Sequence, residues 1–146
     1  VYEPGIAEIV YNAFIEGRHA ITIADYAARD VAAATIKTEL SKVIGYYAIH
    51  YLNDYLSKAG SGNIAGAHHS LSEGYGFMFS LQFTNDGGDQ PYMDRGTLMY
   101  ALSGEGAPPG MGAYFADFHN LQDIYITDPN QGMIALIQNA FGGALD

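Results

Sequence analysis

The run Gly66-Ala67-His68-His69-Ser70-Leu71-Ser72-Glu73 is the densest stretch of side chains able to hold a metal or move a proton. On a helix, His69 and Glu73 are i, i+4 neighbours on one face. An imidazole and a carboxylate at that spacing can bind a divalent cation such as iron or zinc. Such sites draw on three or four protein ligands, so the pair needs a remote third. The candidates are His50, His19, and His119 with Asp117, and no spacing in the sequence brings them together. His68 and His50 stand behind His69 and Glu73 as metal candidates. The alternative for His69 and Glu73 is a hydrogen bond inside a helical bundle, and for His50, among Tyr46, Tyr47 and Tyr51, a satisfied core or boundary histidine.

Other polar clusters read more simply. Asn85-Asp86-Gly87-Gly88-Asp89, followed by Asp94, is rich in carboxylates but lacks the Asp-x-Asp-x-Asp-Gly spacing and distal Glu of a calcium loop, so it reads as a solvated turn. Arg18 and His19 follow the first apolar helix pattern, where basic groups cap exposed carbonyls; an anion site is the sharper alternative. There is no Gly-x-Ser-x-Gly elbow, no phosphate loop ending in Lys-Ser/Thr, and no His-Glu-x-x-His pair. With no cysteine, thiol catalysis, thiolate zinc and iron–sulfur chemistry are excluded.

The elements that must carry these residues follow from apolar spacing. Ile6, Ile9, Val10, Ala13 and Phe14 predict a first helix, with Gly17 near its end and a connector from Ala20 to Tyr26. Asp25 or Asp30 then caps a long helix to about Leu56, with Gly45 inside it marking a close approach or bend. Lys58 to Asn63 reads as a loop, and a third helix runs from about Ile64 to Phe83, its glycines 74 and 76 admitting a neighbouring backbone. Pro91 opens a fourth helix through Leu102, and Ser103 to Gly112 is a loop. Ala113 to Asn120 is a helical turn or two. Ile124 to Ile126 is a short strand or helix, and Thr127 or Asp128 caps a Pro129-opened helix through Phe141. The sum is an all-α bundle of five or six helices in a single domain, 1–146.

With 49% hydrophobic and 15% charged residues the chain is neither disordered nor built to span a bilayer. Sixteen acidic against six basic residues give a net charge of −10, which argues against nucleic acid or an anionic lipid surface as a general partner. The chain starts Val1-Tyr2-Glu3-Pro4-Gly5, which reads as a processed product or a fragment. Low Lys, 12 Tyr and an acidic surface suit an exported protein.

Three stretches carry a resemblance: Phe14-Ile15-Glu16-Gly17-Arg18-His19-Ala20-Ile21, Ala48-Ile49-His50-Tyr51-Leu52-Asn53, and His69-Ser70-Leu71-Ser72-Glu73-Gly74-Tyr75-Gly76-Phe77. Across about Ala7 to Phe83 the chain resembles the second half of an uncharacterised domain family of bacterial lipoproteins and exported proteins, related to the imelysin-like, iron-regulated proteins. The resemblance implies an imelysin-like half-domain, a periplasmic, outer-membrane or extracellular location, an association with iron or other metals, and no demonstrated catalysis. The imelysin signature Gly-x-His-x-x-Glu is met by Gly66 and His68, but Leu71 stands where Glu is expected. A half-domain needs a partner, either the missing part of its own domain or a second copy in a homo-oligomer.

Three readings result. The first is a non-enzymatic envelope protein binding a metal or a metal-bearing ligand around His69 and Glu73. The second is a self-assembling protein whose tyrosine-rich helix faces form oligomers or filaments. The third is a metallohydrolase with Glu73 as ligand or base, for which no third ligand can be named.

Overall fold

A computed structural model describes residues 4–103, 124–129 and 132–145. These residues are helical, with no strand among them: α1 (Ile6–Thr22), α2 (Tyr26–Gly60), α3 (Ile64–Ser80), a 3-10 turn (Leu81–Phe83), α4 (Arg95–Ser103), α5 (Ile124–Thr127) and α6 (Met133–Ala140). The all-α class is as the apolar spacing predicts. The expected loop 103–112 from Gly104 onward, and the expected helical turn 113–120, lie outside the described residues.

Local chemistry sets the boundaries. α1 does not end at Gly17 but continues to Thr22, because Gly17 is where α1 meets α2: a Cβ there would lie 3.3 Å from Ala32 Cβ. Arg18 is therefore inside the helix rather than after it. The turn to α2 passes through Ala24 at φ 59°, and the Asp25 carboxylate accepts the Ala28 amide at 3.0 Å, so Asp25 rather than Asp30 caps α2. α2 runs to Gly60, past the expected Leu56, because Asp54 and Lys58 pair along it; the loop shrinks to Ser61–Asn63, and Asn63 caps α3 through the Gly66 amide. The third helix closes as a 3-10 turn rather than continuing as α-helix, held by the Thr84 hydroxyl donating to the Leu81 carbonyl. α4 starts at Arg95, not at Pro91, since Asp94 accepts the Gly96 and Thr97 amides at 2.8 and 3.1 Å. Ile124 to Ile126 is helical, and α6 begins after Gly132 rather than at Pro129.

α2 is the spine, about 50 Å long at 1.5 Å per residue. α1 returns along its first half, forming a hairpin, and α3 returns along its second half. The second half holds the core. Ala48, Leu52 and Tyr55 of α2 meet Ala67, Leu71, Gly74 and Met78 of α3, each set at i, i+3/i+4, i+7 spacing. Leu81, Leu98, Leu102, Ile126, Met133 and Ile137 close over them, all with 1% exposure or less. Gly45 admits the Phe141 ring, which stacks on Tyr92 with centroids 3.9 Å apart. Gly74 likewise admits the Tyr51 Cβ at 3.3 Å, but Gly76 has nothing within 4 Å and is not a contact point as expected. The hairpin is different: apart from Gly45 at its far end, its buried residues are Ala13, Ala20, Ala32, Glu39 and Ser41. No helix among the described residues is long and apolar enough to cross a membrane.

Candidate functional site

α3 alternates its polar side chains around the helix, and only one side faces protein. His68, His69 and Glu73 are exposed on α3. His69 Nε2 lies 4.0 Å from Glu73 Oε1, with side chains 71% and 44% exposed, so the predicted pair is in register and open to solvent rather than buried in a bundle. The remote partners do not join it. His50 is on the exposed side of α2, edge-on to Tyr51 at 5.3 Å and to Tyr47 at 6.0 Å, and His19 lies exposed in the last turn of α1. Among the described residues no three of His, Asp and Glu come close enough to hold a metal ion; His119 and Asp117 lie outside them. His69 and Glu73 thus offer two ligands from one helix.

Ser70, between them in sequence, points the other way and is fully buried. Its hydroxyl donates to Asp54 Oδ2 at 2.5 Å and accepts from Lys58 Nζ at 2.9 Å, while Lys58 also donates to Asp54 at 2.6 Å. The Lys58 ammonium, and then the Ser70 hydroxyl, hold the Asp54 carboxyl below the usual carboxylate range. A serine beside a lysine can be a nucleophile and its base. Here the lysine is paired to a carboxylate and the hydroxyl is inaccessible, so the trio acts as a polar clamp between α2 and α3. Sequence reading missed it, although Asp54 and Lys58 at i, i+4 were its visible half.

The acidic turn binds itself. Asn85 accepts the Gly87 amide at 2.8 Å, and Asp86 accepts the Gly88 and Gln90 amides at 2.7 and 3.3 Å. Asp89 faces Lys37 at 3.7 Å, and Asp94 is used as the α4 cap. Its hydrogen bonds from Thr97 lower the Asp94 carboxyl from its ordinary value. The solvated-turn reading of this loop accounts for each of these groups.

The larger unexplained feature is apolar. Along the α1–α2 hairpin, Tyr11, Phe14, Ile21, Tyr26, Leu40 and Tyr47 are 41–66% exposed. Phe14, Arg18 and Ile21 of α1 line one groove with Arg29, Ala33 and Ile36 of α2; Ala7 and Val10 line the next with Leu40, Val43 and Tyr47. Tyr47 and Tyr51 continue this surface toward α3, both stacked on Phe77 with centroids 5.4 and 5.5 Å away. Large apolar side chains exposed together along one hairpin make a surface of the kind that marks an interaction site.

A family model described as a domain of unknown function (DUF4856) matches residues 2–104. The chain belongs to the DUF4856 family. The DUF4856 match takes in α1 to α4, so the hairpin, the polar clamp and the His69–Glu73 pair all lie within the family domain, while α5 and α6 lie beyond it. No curated protein and no solved structure matches the chain.

Proposed function

We propose that this chain is a non-enzymatic protein of the bacterial envelope, exported to the periplasm, the outer membrane or the outside of the cell, whose work is association. In this reading its tyrosine-bearing helix faces assemble it into oligomers or filaments. The observation that carries the reading is the open apolar surface of the α1–α2 hairpin, which burial would stabilise at about 25 cal/mol per Å². The acidic, lysine-poor composition and the resemblance to imelysin-like envelope proteins support the location.

A second reading, binding of a divalent metal or metal-bearing ligand, is favoured by one observation. His69 and Glu73 stand at i, i+4 on an exposed face, where a partner's groups or a chelated metal can reach them. The two readings separate in one experiment on natively purified protein: light scattering from micromolar to submillimolar concentration, with elemental mass spectrometry on the same sample. The expected result is a mass that rises with concentration and no stoichiometric metal. A monomer at every concentration rejects assembly. One metal per chain, lost in His69→Ala, puts the metal reading in its place.

A further inference from the structure

The open face of the hairpin has a pattern of its own. On α1, Ile6, Val10, Ala13, Gly17 and Ala20 form the covered seam against α2. One residue on, Ala7, Tyr11, Phe14, Arg18 and Ile21 repeat the same 4-3-4-3 spacing, and all five are exposed. On α2 the matching seam is Tyr26, Arg29, Ala33, Ile36, Leu40 and Val43, spaced 3-4-3-4-3, exposed or half-buried throughout. Heptad spacing of this kind is the signature of helices that pack knobs into holes at small crossing angles. Both seams flank the same grooves.

Each seam is complementary to its own reverse. Turned antiparallel about Phe14, the α1 seam sets Phe14 against Phe14, Tyr11 against Arg18, and small Ala7 against large Ile21. Turned about Ile36, the α2 seam sets Ile36 against Ile36, small Ala33 against large Leu40, and the aliphatic stem of Arg29 against Val43. Alternating small and large residues across facing positions is what lets two layers interdigitate, and an Arg over a Tyr ring is a favourable cation–π pair. The two centres also coincide. Gly17 lies level with Ala32, so in this antiparallel hairpin Phe14 lies level with Thr35, next to Ile36. One two-fold axis therefore serves both seams.

Charge and area agree with this arrangement. The hairpin, Ile6 to Tyr47, carries four of the six basic residues, Arg18, Arg29, Lys37 and Lys42, against five acidic ones. It is close to neutral in a chain of net charge −10. An antiparallel axis at Ile36 sends the two acidic bodies in opposite directions along α2, roughly 50 Å apart, several Debye lengths at physiological salt. Tyr11, Phe14, Ile21, Tyr26 and Leu40, each 50–66% exposed, supply the apolar centre that an interface burying ~800 Å² per partner needs. Around Ser41 and Gly45 the other side of α2 is taken, by Asn85 on Ser41 and by Phe141 and Leu145 on Gly45, while Val31 is exposed off the seam.

We infer that the hairpin face docks a second copy of this chain, forming an isologous antiparallel four-helix bundle with its two-fold axis at Phe14 and Ile36. This rests on the association reading above and names its partner and geometry. The test uses Phe14, which is 60% exposed, so its replacement leaves the fold of one chain intact by circular dichroism. Phe14→Glu and Phe14→Lys each set like charges face to face, and each weakens dimerisation at least about a hundredfold in sedimentation equilibrium; mixing the two restores a dimer. Phe14→Cys, the only thiol in a chain without cysteine, forms an intermolecular disulfide on mild oxidation, while Ser57→Cys on the body does not. If the native chain associates but Phe14→Glu leaves association unchanged, or Phe14→Cys fails to cross-link, this geometry is wrong and the association reading stands. A native chain that stays monomeric to submillimolar concentration removes both.

Discussion

Two glycines inside helices, Gly45 on α2 and Gly76 on α3, carry opposite expectations for the same substitution. A Cβ on Gly45 would lie 2.8 Å from Cε2 and Cζ of Phe141 and 2.9 Å from Leu145 Cδ1. Phe141 cannot swing away freely, since it is 4% exposed and stacked on Tyr92. Forcing a methyl into such a site costs about 1–3 kcal/mol, and loosening the ring pair costs about 1 more. Alanine returns about 1 kcal/mol of helix propensity, so Gly45→Ala should lose about 2 kcal/mol overall. Gly76 is exposed with nothing within 4 Å, so Gly76→Ala collects only the propensity, a gain of about 0.5–1 kcal/mol. In urea unfolding at one fixed protein concentration, with an m-value near 2 kcal/mol/M, the midpoint should fall by about 1 M for Gly45→Ala and rise by about 0.3–0.5 M for Gly76→Ala. Two midpoints that move upward together would refute the packing of Phe141 onto α2, and with it the placement of the chain's C-terminal segment on the spine.

Two further expectations follow from the polar groups. Asp54 is held below its ordinary pKa, first by Lys58 and then by Ser70, so the unfolded chain binds more protons there and stability rises with pH. Its contribution is complete above the unfolded-state pKa of about 3.9 and is lost as the pH falls through the lower folded-state value; Asp54→Asn should flatten that acid limb in melting temperature against pH. Asp25→Ala removes the acceptor of the Ala28 amide at the start of α2 and should cost about 1 kcal/mol, read as a lower melting temperature with the helix content at low temperature retained.

The sequence was most legible where one period dominated. The α2–α3 interface is written in Leu52, Tyr55, Leu71 and Met78, large apolar groups at helical spacing, and Gly45 announced a close approach that Phe141 makes. Boundaries were less legible where a residue weak in helices was tolerated for packing. Gly17 reads as a stop, but its missing side chain is what lets α1 touch Ala32, so the helix runs on. Pro91 and Pro129 read as helix openers, yet a carboxylate at Asp94 and an extended Gly132 start the helices instead. The His69–Glu73 pairing was visible as i, i+4 spacing, whereas its exposure was not: spacing fixes which residues share a face, and only the neighbours decide whether that face is covered. Ser70 shows the same limit, since its role depends on two side chains twelve and sixteen residues away.

The unequal halves of α2 have an energetic consequence. The second half is anchored by leucines and methionines worth about 1.5–3 kcal/mol each on burial, together with the Asp54–Lys58–Ser70 clamp. The first half is covered by α1 through Ala13, Ala20 and Ala32, with Ile6 and Val10 half-buried beside them; each alanine methyl contributes about 0.8 kcal/mol, against an ordering cost of about 1–2 kcal/mol per residue. The hairpin is therefore sustained partly by continuity, because adding residues to a helix already nucleated in the body is far easier than starting one. Lys37 with Asp89 is an exposed pair that adds only a small increment, and Lys42 pairs the buried Glu39 carboxylate within α2 itself. A face whose own contacts are thin, and whose large side chains are turned outward at heptad spacing, is one that a docked second copy, as proposed above, would stabilise. In the proposed dimer, docking at Phe14 adds to the stability of a hairpin that the single chain already holds, so a Phe14 variant keeps its helix content and loses only the increment that association supplies.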